Sequence, residues 1–509
     1  MQCPDHVLTV LRRHPDLARL AAGSFDFDLD RAEHVEAVRL ASGAPLEAVA
    51  GDDTGGTYFA CAGGAVLYAS SEGQAGLIGT SMDEALEILF GLPGWHDYTD
   101  LDLQADDDVL EELFTRTEDE IRSSYGPELD ADRSRLLSEL GLRQLPRREI
   151  LRRLQKSLLR TEPEFLLLNA DEGCAYELLD RLRRPPLWQA VLAQGRADLV
   201  RMRADHSCWD EIATDPIRRA AVLRAAQYDR QSGDLQLLRK LLQHEARSGA
   251  TEELRLVAVL VALHGKTEDY LLLQALREAN ADVHFLLGGF PGSSRALSQW
   301  AADFDSSNYG QDPDDEDDFT WAALARRQGM NELARSALIR MLDNTGPRDA
   351  ILLGALAREL EALGDLGQAT RARRLYASLQ EDTGMRGTAL ADLASLQRRS
   401  GKVEAAWQSL QKAVTVLDGP PPPPPTDQLA LDFGLPQPLC PTTTWRDLGL
   451  GLRITEEHFL ITQAAVPLGL HEVAQEAFKT GKAMLDSLPH PTESLRQAAG
   501  AAEVLAVPR

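Results

Sequence analysis

Histidine, cysteine, serine and the carboxylates carry out most enzyme chemistry, and their spacing in this chain matches no catalytic motif. The 11 histidines are dispersed, and none forms H-E-x-x-H or another close metal-binding pair. Ser and Cys residues occur without the glycines of a nucleophile elbow. Among 79 Asp and Glu residues, no two can be singled out as an acid–base pair. The sequence therefore predicts no catalytic, metal-binding or cofactor-binding residues; an enzyme site assembled from distant positions is the alternative.

Two segments have the composition of ligand-binding loops but lack the required spacing. No G-x-G-x-x-G or P-loop motif opens a helix near the N-terminal glycines. We interpret these as hairpin-turn residues: Gly51, Gly55, Gly56, Gly63 and Gly64. The run DPDDEDD at 312–318 lacks the alternating oxygen ligands and central glycine of an EF-hand. It predicts a solvated acidic loop.

A basic helix is predicted over 147–160. The segment contains only one acid, Glu149. Its cations are Arg147, Arg148, Arg152, Arg153, Lys156 and Arg160. A basic helix can contact nucleic acid or an acidic surface. This one has no aromatic residues on which bases would stack. We therefore favour a solvated face or pairing with acids of this chain.

A short peptide pattern lies in the proline-rich stretch 420–441. Gln428, Leu429, Leu431 and Phe433, within QLALDFGL, resemble the peptide by which bacterial proteins dock on the replicative sliding clamp. The alternative is that the three apolar residues hold the linker against neighbouring helices.

Six prolines at 420–425 predict a stiff spacer of roughly 19 Å, at about 3.1 Å per residue. The alternative for this run is an SH3-type ligand.

Composition limits the possible partners. With 509 residues, 44% of them hydrophobic, the chain is long enough for two to four domains. Its net charge of -26 argues against nucleic acid or anionic membranes and favours a basic protein partner. Five scattered cysteines are typical of reduced thiols: Cys3, Cys61, Cys174, Cys208 and Cys440. No signal peptide or apolar run of about 20 residues occurs, so we expect a cytoplasmic protein.

The first 98 residues predict a small α+β module. Helical patterns cover 7–21 and 31–40, and four short β-type segments follow: LEAVA, TYFACA, AVLYASSE and GLIG. A helix capped by Ser81, with Glu84 completing a capping box, ends before Pro93. This order predicts an antiparallel sheet covered on one face by helices.

This block resembles the core of the SUKH superfamily over about one fifth of the chain. The matching positions are Gly55, Gly56, Tyr58, Val66, Tyr68, Glu72, Ile78, Ser81, Ala85 and Leu89. The resemblance implies a non-catalytic binding module. Bacterial members of that superfamily act as immunity proteins that block toxin domains, and others resemble regulatory adaptors.

Glycines recur at near-constant spacing in the second half of the chain. Gly195, Gly233, Gly265, Gly329, Gly364, Gly401 and Gly469 are separated by multiples of about 34 residues. The last four have an alanine five positions later: Ala334, Ala369, Ala406 and Ala474. Thirteen residues before each alanine stand Trp321, Leu356, Leu393 and Ile461. This pattern predicts helix pairs joined at the glycines and resembles the tetratricopeptide repeat, with Arg373 as a polar departure at a position expected to be apolar.

The predicted fold class is mainly α: a SUKH-like α+β domain followed by an α-solenoid of helix-turn-helix repeats. The predicted order is the module at 1–98, a helical connector at 99–185, solenoid helix pairs at 186–287, an acidic and glycine-rich insertion at 288–318, tetratricopeptide-like repeats at 319–419, the proline-rich linker at 420–441, and a last helix pair with a tail at 442–509.

The predicted function is non-catalytic protein binding by an immunity-type or regulatory adaptor. The acid-rich concave surface of the repeats would bind a basic partner, such as a toxin or nuclease domain, without a cofactor, membrane or nucleic acid. The alternatives are a self-associating scaffold and a sliding-clamp-associated factor. The sequence leaves the oligomeric state open.

Overall fold

The computed structural model describes residues 6–101, 103, 106–419, 444–447, 449–488 and 490–506. In these residues the protein is mainly helical, with 24 α-helices and a small sheet region near the N-terminus. The chain divides into two compact units, an N-terminal unit of residues 1–337 and a C-terminal unit of residues 338–509.

The first part of the N-terminal unit contains the strands. Its elements are α1 His6–Arg13, α2 Pro15–Ser24, β1 Val38–Leu40, β2 Leu46–Gly51, β3 Thr57–Cys61, β4 Val66–Ala69, β5 Gln74–Gly79, α3 Met82–Gly91, α4 Asp107–Tyr125, α5 Leu129–Glu139, α6 Arg147–Leu158, α7 Thr161–Glu164, β6 Leu167–Asn169 and β7 Glu177–Leu178. The four predicted β segments are confirmed as β2 to β5. The Ser81 cap of α3 is also confirmed, since the Glu84 amide donates to Ser81 Oγ at 3.1 Å.

The sheet uses strands that lie far apart in the sequence. The five-stranded sheet has the order β2-β3-β4-β5-β7, antiparallel except for β7, which is parallel to β5. Strand β1 pairs with β6 in a separate two-stranded sheet. Because β6 and β7 come from 99–185, that segment is not an all-helical connector. Its strands and α6 complete the module predicted to end at residue 98.

The helix predicted over 31–40 is wrong. That segment contains a 3₁₀ turn at Leu29–Arg31 and strand β1, which pairs with Leu167–Asn169. Its extended conformation is stabilised by a partner more than a hundred residues away. Tertiary pairing of this kind overrides a weak local helical pattern.

The second part of the N-terminal unit is helical. Its helices are α8 Leu187–Ala204, α9 Trp209–Thr214, α10 Pro216–Tyr228, α11 Leu235–Glu245, α12 Glu252–Leu263, α13 Thr267–Ala279, α14 Ala281–Leu286, α15 Leu297–Asn308 and α16 Asp318–Arg327, followed by α17 Asn331–Asp343. Gly195 does not separate two helices as predicted. It lies inside α8, where a Cβ would be 2.3 Å from the Ala221 carbonyl oxygen of α10. Its role is close helix contact rather than chain reversal.

The segment 288–318 is not a loop throughout, although most carboxylates of its 312–318 run are exposed, as predicted. It contains α15, whose Asp305 accepts two hydrogen bonds from Arg230, both at 2.8 Å. Arg224 likewise donates to Glu316 at 2.8 Å. The Asp305 and Glu316 side chains are 8% and 13% exposed. The prediction missed this packing because the two arginines lie 75 and 92 residues earlier in the chain.

The C-terminal unit contains helices on both sides of the proline-rich stretch. They are α18 Ala350–Ala362, α19 Leu366–Ser378, α20 Thr383–Arg399, α21 Val403–Leu417, α22 Gly449–Ala465, α23 His471–Ser487 and α24 Glu493–Ala506. The residues predicted as a tail include α24, whose Leu495 is buried in a cluster with Phe459 of α22. The unit therefore ends in three helices rather than in a pair.

Candidate interaction surfaces

Four helix pairs turn through the same backbone corner. At Gly401 the glycine amide donates to the Arg398 carbonyl at 2.9 Å, and the Lys402 amide donates to the Gln397 carbonyl at 2.8 Å. This bonding closes the helix and needs a left-handed residue, which glycine adopts without steric cost. The same two bonds occur at the other three corners, and φ is +79° at Gly329, +78° at Gly364, +81° at Gly401 and +74° at Gly469.

The alanines that follow these corners all lie in the helix-packing layer. Ala334, Ala369 and Ala406 are fully buried, and Ala474 is 1% exposed. The large residues 13 positions earlier are also buried, with Trp321 at 1% and Leu356 at 0% exposure. Small alanines allow close helix approach, and the larger side chains fill the space between helices.

Arg373, four residues after Ala369, occupies a position that was expected to be apolar. Its side chain is nevertheless largely buried, with 12% of its surface accessible. Its guanidinium lies 5.6 Å from the centre of the Tyr376 ring and 3.7 Å from an Asp392 carboxylate oxygen. Its apolar stem therefore takes the place of an apolar residue while the charged group meets a ring and an acid. The other predicted interaction motif, Gln428, Leu429, Leu431 and Phe433, lies outside the described residues, as do prolines 420–425.

The negative charge is concentrated near the N-terminus and not in the segment predicted to form repeats. Residues 40–115 contain 15 Asp and Glu residues and no Lys or Arg. Residues 319–419, in contrast, contain 14 Lys and Arg residues against 11 Asp and Glu residues. The acidic surface expected on the repeats therefore has no basis in their composition, and we assign it to the N-terminal unit.

The basic helix α6 neutralises part of this acid. Arg147 donates to the buried Glu118 at 2.8 Å, and Arg153 donates to the buried Glu87 at 3.3 Å. Arg148 also pairs with Asp107. Pairing with acids of this chain, one of the two readings that we favoured for the helix, is thus confirmed.

Four exposed acids without an ion pair in the described residues form a ridge at the start of α4 and along it. Asp106, Asp108, Glu112 and Glu120 are exposed, and no ion pair involves them in the described part of the chain. We call these four residues the acidic ridge. A concavity of about 870 Å³ runs along the same helix and is lined by Glu112, Glu120 and the single cation Arg116. Four carboxylates beside a single cation would attract a basic partner and raise its encounter rate.

A buried polar cluster holds the turn between β2 and β3. The Asp52 carboxylate accepts hydrogen bonds from Tyr68 Oη at 2.6 Å, the Gly56 amide at 2.8 Å and the Thr54 amide at 2.9 Å. Burial acts to raise the pKa of Asp52, but the hydrogen bonds from Tyr68 and Thr54 outweigh it and lower that pKa. These contacts order the turn and leave Asp52 ionised. The sequence indicated a turn here but not this network.

Asp26 lies beside this cluster, with an unusual backbone conformation and a carboxyl group whose ionisation is disfavoured. Its φ of +49° is unusual for a residue with a Cβ. Burial, then the charges of Asp53 and Asp52, raise its pKa to about 6. The folded protein therefore binds a proton more tightly than the unfolded chain, and Asp26 destabilises the unit above pH 6.

We expect Asp26→Asn to stabilise the N-terminal unit at pH 7. Asn tolerates a positive φ and carries no charge. Because the side chain is partly exposed, we expect a gain of about 1 kcal/mol. The gain should shrink as the pH falls from 6 to 4, where wild-type Asp26 becomes protonated. Urea denaturation at several pH values would test this, and a pH-independent gain would exclude the electrostatic cause.

A second titratable cluster joins the 33–36 segment to the sheet. His34 Nδ1 lies 3.1 Å from Thr57 Oγ1, which donates to the Glu33 carbonyl at 3.1 Å. His34 Nε2 lies 3.0 Å from Tyr176 Oη, which donates to Glu36. Each of these four hydrogen bonds needs one donated proton. The two hydroxyls and the one N–H of neutral His34 supply three protons. The imidazolium form has a second N–H and supplies the fourth.

We expect Tyr176→Phe to lower the pKa of His34, because the imidazolium loses its acceptor at Nε2. In the wild type, burial lowers the pKa of His34 and the charge of Glu36 opposes this. Imidazole NMR titration would measure the change, with Tyr270→Phe as a remote control. An unchanged pKa in Tyr176→Phe would contradict the proton count.

The described residues contain no candidate metal site and no candidate membrane span. No group of three or more His, Cys, Asp and Glu side chains is placed there to hold a metal ion. None of the helices found in these ranges is long and apolar enough to cross a bilayer.

Comparison with known proteins assigns no family. No protein-family model, curated protein or solved structure matches this chain. The resemblances to the SUKH superfamily and to tetratricopeptide repeats therefore stay predictions.

Proposed function

We propose that this protein is a non-catalytic adaptor, of the immunity or regulatory type, that binds a basic protein partner through its N-terminal unit. The observation that carries the proposal is the 40–115 segment, with 15 carboxylates and no Lys or Arg. Within and beside it, the four acids of the acidic ridge form no ion pair among the described residues. Long-range attraction from such a surface raises association rates and makes binding sensitive to salt.

The helical hairpins fit this role as a second contact surface. Their corners repeat the same backbone geometry, as expected of a tetratricopeptide-like solenoid that follows a SUKH-like module. Arrays of this kind bind through extended complementary surfaces rather than deep pockets. A toxin or nuclease domain with a basic face would have suitable chemistry as the partner.

Affinity capture from the native cytosol at low and high salt, followed by titration of the recovered protein, would test the proposal. The test variant replaces the ridge by amides: Asp106→Asn, Asp108→Asn, Glu112→Gln and Glu120→Gln. The control makes the same charge change at exposed acids of the C-terminal unit: Glu404→Gln, Glu472→Gln, Glu476→Gln and Asp486→Asn.

We expect the ridge variant to bind the recovered basic protein at least tenfold more weakly, and the control variant to bind as the wild type does. High salt should weaken wild-type binding in the same way. Equal affinity of the two variants would refute the assignment of the surface. Oligomers of the purified chain in light scattering would favour the scaffold alternative instead.

A further inference from the structure

A cavity of about 180 Å³ lies in the N-terminal unit where α10 leads into α11. The 3₁₀ turn Ser232–Asp234 forms one side, and the C-terminal end of α12 with His264 forms another. The apolar wall consists of Ala226, Leu238, Leu260 and Leu263. Such a combination of an apolar wall and a few convergent polar groups is typical of small-molecule sites.

The charged side chains at the cavity are already satisfied by the protein. Arg230 binds both carboxylate oxygens of Asp305 at 2.8 Å and donates to the Gln227 carbonyl at 2.7 Å. Asp234 accepts from Arg203 at 3.0 and 2.8 Å and from the Gln231 amide at 3.1 Å. These bonds fix the walls in place. A charged ligand would therefore find no free counter-ion.

Two polar groups at the cavity have no such partner. Neither the His264 ring nor the Ser232 hydroxyl forms a hydrogen bond with any residue that the structure describes. Burial lowers the pKa of His264, with the charge of Asp234 opposing it. A neutral imidazole offers one donor and one acceptor, and a hydroxyl offers both. The polar end can therefore bind a neutral hydroxyl or amide group.

The volume limits the ligand to a single ring. An apolar protein cavity of about 150 Å³ holds one benzene molecule. A cavity of about 180 Å³ accommodates the same ring with one small substituent. The rigid walls reduce the ordering cost of binding.

We propose that this cavity binds a small, neutral, ring-shaped molecule that carries one hydroxyl or amide group, with the ring on the leucine wall and the polar group at His264 and Ser232. Such a ligand would contact α10, α11 and α12 together. Binding would therefore stabilise this part of the unit against thermal unfolding.

Titration of the full chain with phenol, followed by protein NMR and thermal denaturation, tests this proposal. We expect saturable binding and a rise in the unfolding temperature. Benzene, which lacks the hydroxyl, should bind at least tenfold more weakly. Leu238→Phe, which fills the cavity, should reduce phenol affinity at least tenfold.

The polar end is tested separately with His264→Ala and the turn variant Ser232→Ala, each expected to weaken phenol binding several-fold. His284→Ala, at an exposed position in the same unit, should leave binding unchanged. Circular dichroism would confirm that each variant is folded. Non-saturable binding of phenol, or binding that neither polar substitution changes, would overturn the proposal.

Discussion

Gly195→Ala is expected to destabilise the N-terminal unit by about 3 kcal/mol, although alanine is a better helix former than glycine. The new Cβ would lie 2.3 Å from the Ala221 carbonyl oxygen and 2.5 Å from its carbon. Both are backbone atoms of α10, so no side-chain rotation can relieve the overlap. The helices would have to move apart, and buried contacts between them would be lost. Urea denaturation followed by circular dichroism would measure the change in the free energy of unfolding.

Gly23→Ala is the matched control, because Gly23 also lies in a helix of the same unit. A Cβ there would meet no atom within 4 Å. We expect no loss of stability and a gain of up to about 1 kcal/mol from helix propensity. Similar effects at the two positions would contradict the close approach of α8 and α10.

Arg219→Met is expected to cost about 3–5 kcal/mol, because it leaves the Glu245 carboxylate buried without its counter-charge. The two side chains form an ion pair and are only 4% and 5% exposed. Arg219 also donates to the Ala213 carbonyl at 2.6 Å and to Ser248 Oγ at 3.0 Å. The substitution therefore removes the only cation paired with Glu245 in the described residues, together with two further hydrogen bonds. Chemical denaturation would measure the loss.

Two further variants separate the buried charge from the lost packing. Arg219→Met combined with Glu245→Met should recover much of the stability, since both charges are then removed. Arg152→Met tests an exposed pair, because Arg152 and Glu149 are 56% and 36% accessible, and should cost at most about 1 kcal/mol. If the double variant were no more stable than Arg219→Met, the unpaired carboxylate would not be the cause.

The features that the sequence predicted correctly depend on residues close together in the chain. The strands β2 to β5 alternate with turn glycines, and the Ser81 cap needs a residue only three positions away. Each glycine corner is likewise specified within about six residues. These signals are local and therefore readable from one sequence.

The features that the sequence missed depend on distant pairing. Strand β1 forms only against β6, and Asp305 and Glu316 of the 288–318 segment are largely buried where Arg230 and Arg224 pair with them. The prediction of an acidic surface on the repeats was wrong for another reason. A whole-chain net charge of -26 does not reveal that residues 319–419 carry more cations than carboxylates.

The pairing of β5 with β7 affects the order in which the chain acquires structure during synthesis. The edge strand that pairs with β5 is β7, residues Glu177–Leu178. A nascent chain that ends near residue 98 therefore still lacks one edge of its sheet. Each helical hairpin of the C-terminal unit, in contrast, closes over a few dozen consecutive residues. Local contacts form faster than distant ones. The hairpins of the C-terminal unit should thus gain structure one after another as they are synthesised, whereas the N-terminal sheet cannot be completed until Glu177–Leu178 has been synthesised.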